Sequence, residues 1–221
     1  MKKKWKYYQE WHNTAFFHWK VPKCLIENYI PDGLELDTYD NIAWVSLVSF
    51  EVKNMRVRNL PPLPYLSDFQ EINIRTYVVK DGIPGIYLFS IETDKLIEVL
   101  LTRVFIGLPY KKSSIKREAN RLSNNNIFSN NHLDIQFQGN SPLIKKSELD
   151  FWLTERHSLY EKCHTKLCRF DIHHKEWELN ALNAKINKIK YSAGRYNLNV
   201  YPDKIQYSKK LDIVLWGKKP L

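Results

Sequence analysis

The stretch Gln70–Lys80, QEINIRTYVVK, sets the reading of the whole chain. Its residues alternate strictly. Ile72, Ile74, Thr76 and Val78 fall on one face, and Glu71, Asn73, Arg75 and Tyr77 on the other, which is the period of a strand. Asp81-Gly82 follows as a hairpin turn, because both residues adopt positive φ at little cost. Pro84–Glu92 (PGIYLFSIE) then returns as a second, more apolar strand. Thr93 is placed to cap a helix over Asp94–Phe105, whose apolar positions are Leu96, Ile97, Leu100, Leu101, Val104 and Phe105. Gly107 and Pro109 stop it, and Tyr110-Lys111-Lys112 leave at once. A hairpin carrying an arginine, a helix apolar on most of its circumference and a tandem lysine thus come close together. A site is expected here.

Working outward, the same pattern recurs. Trp11–Trp19 is aromatic-rich and reads as an edge strand entering the core. Pro22–Tyr29 is a short helix ending before Ile30-Pro31. Leu34–Asp37 and Ile42–Val52 read as a hairpin turning at Tyr39-Asp40-Asn41. Ile42–Val52 is apolar on both faces, so it should be central and covered on both sides. Arg58–Pro64 (RNLPPLP) is a stiff extended connector by composition. Ser113–Arg121 and Leu133–Gln138 are strands, with asparagine-rich, solvated turns at Asn124–Asn126 and Asn130-Asn131. Ser147 caps a short helix that carries Glu148 and Asp150 in its first turn. His157–Lys162, Thr165–His174, Trp177–Ile189 and Leu211–Trp216 complete the strands. Many strands and few short helices define a mainly β (α+β) fold. Closing such a sheet into an antiparallel β-barrel removes its edges and leaves an enclosed cavity.

Composition limits the class. The 221 residues are 43% hydrophobic and 14% aromatic, which suits a packed core. With no repeat and no linker in sight, residues 1–221 read as a single domain. No apolar run approaches the roughly 20 residues of a membrane span, and the basic N-terminus lacks an apolar signal segment. Three cysteines make no disulfide framework, so a cytoplasmic protein is expected. The net charge of +10 comes from scattered lysines without a patterned footprint, so no specific nucleic-acid partner and no membrane partner is expected. Cys163, His164, Cys168, His173 and His174 match no usual zinc spacing, and no metal or other cofactor is read from the chain.

One set of motifs, taken in order, resembles a known family. The motifs are His18-Trp19-x-Val21-Pro22, Ile30-Pro31-x-Gly33-Leu34-Glu35-Leu36-Asp37, Ala43-Trp44-Val45, Leu60-Pro61-Pro62-Leu63-Pro64, Asn73-x-Arg75-Thr76-Tyr77-Val78, Leu108-Pro109-Tyr110, Leu153-Thr154-Glu155-Arg156 and His173-His174. They resemble the YqjF-like family of uncharacterised bacterial proteins, DUF2071, nearly end to end. The resemblance implies a fold similar to acetoacetate decarboxylase and brings no agreed reaction with it. Acetoacetate decarboxylase forms a Schiff base through a lysine of lowered pKa, in a Pro-Lys-Lys run. Here the run is Pro109-Tyr110-Lys111-Lys112. One inserted residue sends a strand side chain to the opposite face, so Tyr110 takes the reactive lysine's place and Lys111 its neighbour's, unless a bulge restores register.

The candidate residues follow. Arg75 is placed to clamp a carboxylate through its planar fork, and an ion pair with Glu71 is the competing structural role. Lys111 or Tyr110 stands at the reacting centre, although Lys111 and Lys112 also read as two solvated amines. His173 or Glu155 would handle protons, within a polar set (Glu155, Arg156, Arg169, Asp171, His173) that reads equally as a register-fixing network. Trp44, Asn73, Tyr77, Tyr87 and Trp177 are candidates to line the pocket, or plain core. The expected ligand is a small organic acid or carbonyl compound, either transformed or only bound, in a chain that could also form a homo-oligomer.

Overall fold

The computed structural model describes residues 4–95, 108, 110–143, 145–163 and 166–221. Most of the expected helix Asp94–Phe105 lies outside the described residues. The alternating stretch forms β4 (Phe69–Lys80), and its partner after the Asp81-Gly82 turn is β5 (Ile83–Thr93). Before them come β1 (Tyr7–Val21), two single 3-10 turns at Lys23–Leu25 and Glu27–Tyr29, β2 (Glu35–Leu36) and β3 (Ala43–Val57). After them come β6 (Tyr110–Lys112), β7 (Ser114–Glu118), β8 (Arg121–Asn126), β9 (Asn131–Pro142) and α1 (Glu148–Thr154). The chain ends with β10 (Ser158–Cys163), β11 (Lys166–His174), β12 (Asn180–Ala193), β13 (Tyr196–Leu198), β14 (Lys204–Leu215) and β15 (Lys219–Pro220). The fold is mainly β.

Pairing runs β10-β5-β4-β3-β1-β14, and β11 pairs with both β10 and β14. Hydrogen-bonded neighbours therefore return to their start, and the path is ring-like. It is not purely antiparallel, because β5 pairs in parallel with β10 and with β6. Gly85 lets β10 come close: a Cβ there would lie 2.6 Å from the Ser158 carbonyl oxygen.

Both faces of β3 and β4 are buried, as the double-sided apolar pattern of Ile42–Val52 requires. One face joins a core with Phe16, Phe50, Phe69, Leu88, Phe170 and Trp177. The other joins Phe17, Trp19, Leu47, Ile74, Leu122 and Ile135.

Three expectations are corrected. β1 is no edge strand, since β3 and β14 flank it. Leu34–Asp37 does not form a hairpin with the strand that follows. Both edges of β3 are taken, and β3 stops pairing with β4 at Thr76, so β2 adds to β4 beyond that point, at Val78 and Val79. Asn124–Asn126 is not a solvated turn but the end of β8, with Asn124 and Asn126 buried.

The helix start is as the sequence indicates. Ser147 and Asp150 form a capping box that satisfies the first amides of α1. Among the described residues, no helix is long and apolar enough to cross a membrane.

Candidate functional site

The polar face of β4 points into a cavity of about 70 Å³, room for several waters or a small acid. Glu71, Asn73 and Arg75 line it from β4 and Tyr110 from β6. The rest of its wall is almost wholly apolar and includes Phe69, Ile86, Leu88, Ile91 and Phe170. A bulge on β5, where Ile74 pairs with Ser90 but Arg75 with Leu88, shifts the alternation so that Leu88 and Ile91 both face this space.

Arg75 is 5% exposed. Its Nη2 donates to the Leu153 carbonyl at 3.5 Å, and its Nε has no partner among the described residues. The Phe16 ring lies beneath it, 5.6 Å away. Burial pulls the guanidinium below its usual range, and a hydrogen bond with Tyr77 offsets this in part. The structural ion pair with Glu71 is absent from the described contacts. Glu71 instead accepts from Tyr110 Oη at 2.7 Å and from Asn73 Nδ2 at 3.0 Å. Burial raises its carboxyl to about 7 against those two hydrogen bonds. Asn73 Oδ1 is also without a partner among the described residues.

Behind Arg75 runs a buried chain of hydrogen bonds. Tyr77 Oη lies 2.7 Å from Ser46 Oγ, and Ser46 Oγ 2.7 Å from His18 Nδ1. His18 Nε2 lies 3.1 Å from Gln206 Oε1, and Gln206 Nε2 donates to Asp150 Oδ1 at 2.6 Å. A guanidinium only donates and a carboxylate only accepts, so the direction is set from both ends. Tyr77 donates to Ser46, Ser46 to His18 Nδ1, and His18 carries its proton on Nε2. Burial, with Arg75 adding its repulsion, holds His18 neutral, at about 3.

The structure thus brings Arg75, Asn73 and Tyr110 together, with Tyr77 beside Arg75. It does not bring the others to them. Lys111 is exposed, because on β6 it alternates with the inward Tyr110, so it does not reach the expected reacting centre. Tyr87 is half-buried on the opposite face of β5 from Ile86 and Leu88. Trp44 and Trp177 pack in the core without lining the cavity. His173 is exposed, and Glu155 is held by Lys146, Thr154 and the Trp177 amide. Arg169 and Asp171 pair with one another at 2.9 Å, and Arg156 pairs with Asp37 at 2.7 Å. Most of that second polar set is therefore bound up in structure. The sequence reading missed Glu71 as a site group, quoted His18 only within a family motif, and missed Ser46 and Gln206 altogether. The aromatic run and the His18-Trp19-x-Val21-Pro22 motif marked that strand without showing the network.

The ring-like, mainly β sheet shares its fold with acetoacetate decarboxylase-like proteins of known structure. Two kinds of solved structure match it. One is the enduracididine biosynthesis enzyme MppR with HEPES buffer bound, with TM-score 0.68 and 10% identity, covering 100% of this chain and 89% of that one. The other is acetoacetate decarboxylase from Legionella pneumophila, with TM-score 0.68 and 12% identity, covering 97% and 86%. At such identities the likeness is one of fold alone. The DUF2071 family model, described as an uncharacterized conserved protein, matches residues 8–212. The chain belongs to this family. The uncharacterized protein YqjF of Bacillus subtilis (strain 168) is 36% identical over 221 residues, covering 96% of this chain and 91% of that protein.

Proposed function

We propose that this chain binds a small organic acid, one carrying a carboxylate and a hydroxyl or carbonyl group, in the cavity lined by Arg75, Glu71, Asn73 and Tyr110. One observation carries the reading: a buried guanidinium faces an apolar cavity, has a free Nε and pairs with no carboxylate among the described residues. A buried charge is costly until paired, so the site favours an anion. The guanidinium fork suits a carboxylate, held by two parallel hydrogen bonds. The open Asn73 Oδ1 suits a hydroxyl donor on the same ligand. Glu71, held at about 7, is the group that exchanges a proton with the ligand near neutral pH.

MppR, a structural neighbour, has been solved in complex with pyruvate, which is consistent with a small keto acid in this type of fold. Schiff-base capture is no part of the proposal, because a phenol forms no imine and Lys111 faces solvent. The ring-like strand path is read as a barrel wall around the cavity.

Calorimetry with three- to five-carbon keto and hydroxy acids, each beside its neutral amide, tests the proposal. An acid should bind and its amide should not. Borohydride treatment should leave no adduct. A trapped adduct that vanishes in Lys111→Ala would overturn binding without covalent capture, and failure of every acid to bind would overturn the site.

A further inference from the structure

A second cluster lies away from the cavity, where α1 ends. Glu155 closes α1, His157 follows two residues later, and His174 ends β11. One ligand atom from each lies within 4.8 Å of the other two. We propose that Glu155, His157 and His174 bind a borderline divalent transition metal ion, with zinc the best match to two imidazoles and a carboxylate.

The arrangement of hydrogen bonds supports this. Glu155 Oε1 is occupied, receiving Lys146 Nζ at 2.5 Å, the Trp177 amide at 3.1 Å and Thr154 Oγ1 at 3.2 Å. Its Oε2 is turned toward His174, 3.9 Å from Nδ1. His174 Nδ1 lies 2.7 Å from the Lys175 carbonyl and donates there, and the Arg156 carbonyl also faces the ring. An imidazole that donates its second nitrogen to a backbone carbonyl is the usual posture of a metal ligand. His157 is exposed, and its ring centroid lies 4.5 Å from that of His174. Lys146 is shared by Glu155 and Glu176.

Zinc–nitrogen bonds of about 2 Å place tetrahedral ligand atoms roughly 3.3 Å apart. The cluster must therefore close somewhat on binding, and the exposed His157 is free to turn. The sequence hid the site: its ligands fall in a helix end, a loop and a strand, with no recognisable spacing.

The test is zinc alone, titrated calorimetrically into chelator-treated full-length protein, with cobalt(II) absorption as a second readout. One ion per chain, bound in the low-micromolar range or tighter, and visible d–d bands of low-symmetry cobalt are expected. His157→Ala and Glu155→Gln should each weaken zinc at least about tenfold. His157 is exposed, so its variant folds even if Glu155→Gln does not. Cys24→Ser and His132→Ala should bind as wild type. Binding unchanged in His157→Ala, equal loss in either control, or no binding at all overturns the proposal.

Discussion

Two buried glutamates on neighbouring strands make opposite use of the same side chain. Glu92 on β5 is fully buried and receives Asn124 at 2.5 Å, Asn131 at 2.7 Å, Asn126 at 2.9 Å, Ser129 at 3.2 Å and Tyr191 at 3.4 Å. Glu71 on β4 is 6% exposed and, among the described residues, receives only Asn73 and Tyr110. Around Glu92 every acceptor position is used, and the carboxylate ties β5, β8, β9 and β12 together. Around Glu71 the polar set is incomplete among the described residues, with Asn73 Oδ1 and Arg75 Nε left over. A buried polar group costs free energy until it is satisfied. A completed cluster is therefore a structural device, and an incomplete one facing a cavity is where a ligand finishes the hydrogen bonding.

The comparison breaks first at Glu92. Glu92→Gln replaces an acceptor with an amide donor that meets the donors of Asn124 and Asn126. It should cost about 3 kcal/mol, read by urea unfolding. Glu71→Gln at pH 5 should cost under about 1 kcal/mol, because the native carboxyl already holds its proton there. Equal losses at the two positions would end the distinction.

The second effect is pH-dependent. A carboxyl held at about 7 when folded and near 4.5 when unfolded keeps its proton between those values only in the folded state. Its stabilising contribution is full below about pH 4.5 and is lost as pH rises through 7, a change of about 3 kcal/mol at 1.36 kcal/mol per pKa unit. His18, lowered to about 3, works the other way: its contribution is full above 6.5 and is lost as pH falls toward 3. Glu161 is also raised to about 7. The Glu71 part is thus the difference between wild type and Glu71→Gln, and that difference should grow in favour of the variant from pH 4.5 to 7. A flat difference would contradict it.

How much of this was legible depended on whether a signal was local. The strand of Gln70–Lys80 and its inward Arg75 were readable because alternation states which residues share a face. The Ser147 cap was readable for the same local reason, and the structure completes it with Asp150 as a capping box. Glu71 was visible but read as a partner for Arg75, since two residues on one face are within reach. Only the tertiary position of Tyr110, 2.7 Å from Glu71, shows where that carboxylate is engaged. Asn124–Asn126 read as a turn because asparagine favours turns, and a buried carboxylate 32 residues away overrides that preference. His18 stood in a family motif, but nothing local linked it to Gln206, 188 residues away.

Smaller effects sharpen the picture. Ser46→Ala interrupts the chain between Tyr77 and His18 and should cost about 1–2 kcal/mol, seen as a lowered urea midpoint. Lys111→Ala, on the exposed side of β6, should change neither stability nor ligand binding beyond about 0.5 kcal/mol.

The central claim is tested most directly by the affinity of Arg75→Met for the tightest-binding acid, measured by calorimetry beside wild type. Methionine keeps the volume and removes the charge, so stability should hold or rise while affinity falls by about 100-fold, the order expected for a charge-assisted bidentate pair. Affinity unchanged in a folded Arg75→Met protein would contradict the account, because the acid would then be bound without the guanidinium that the cavity presents to it.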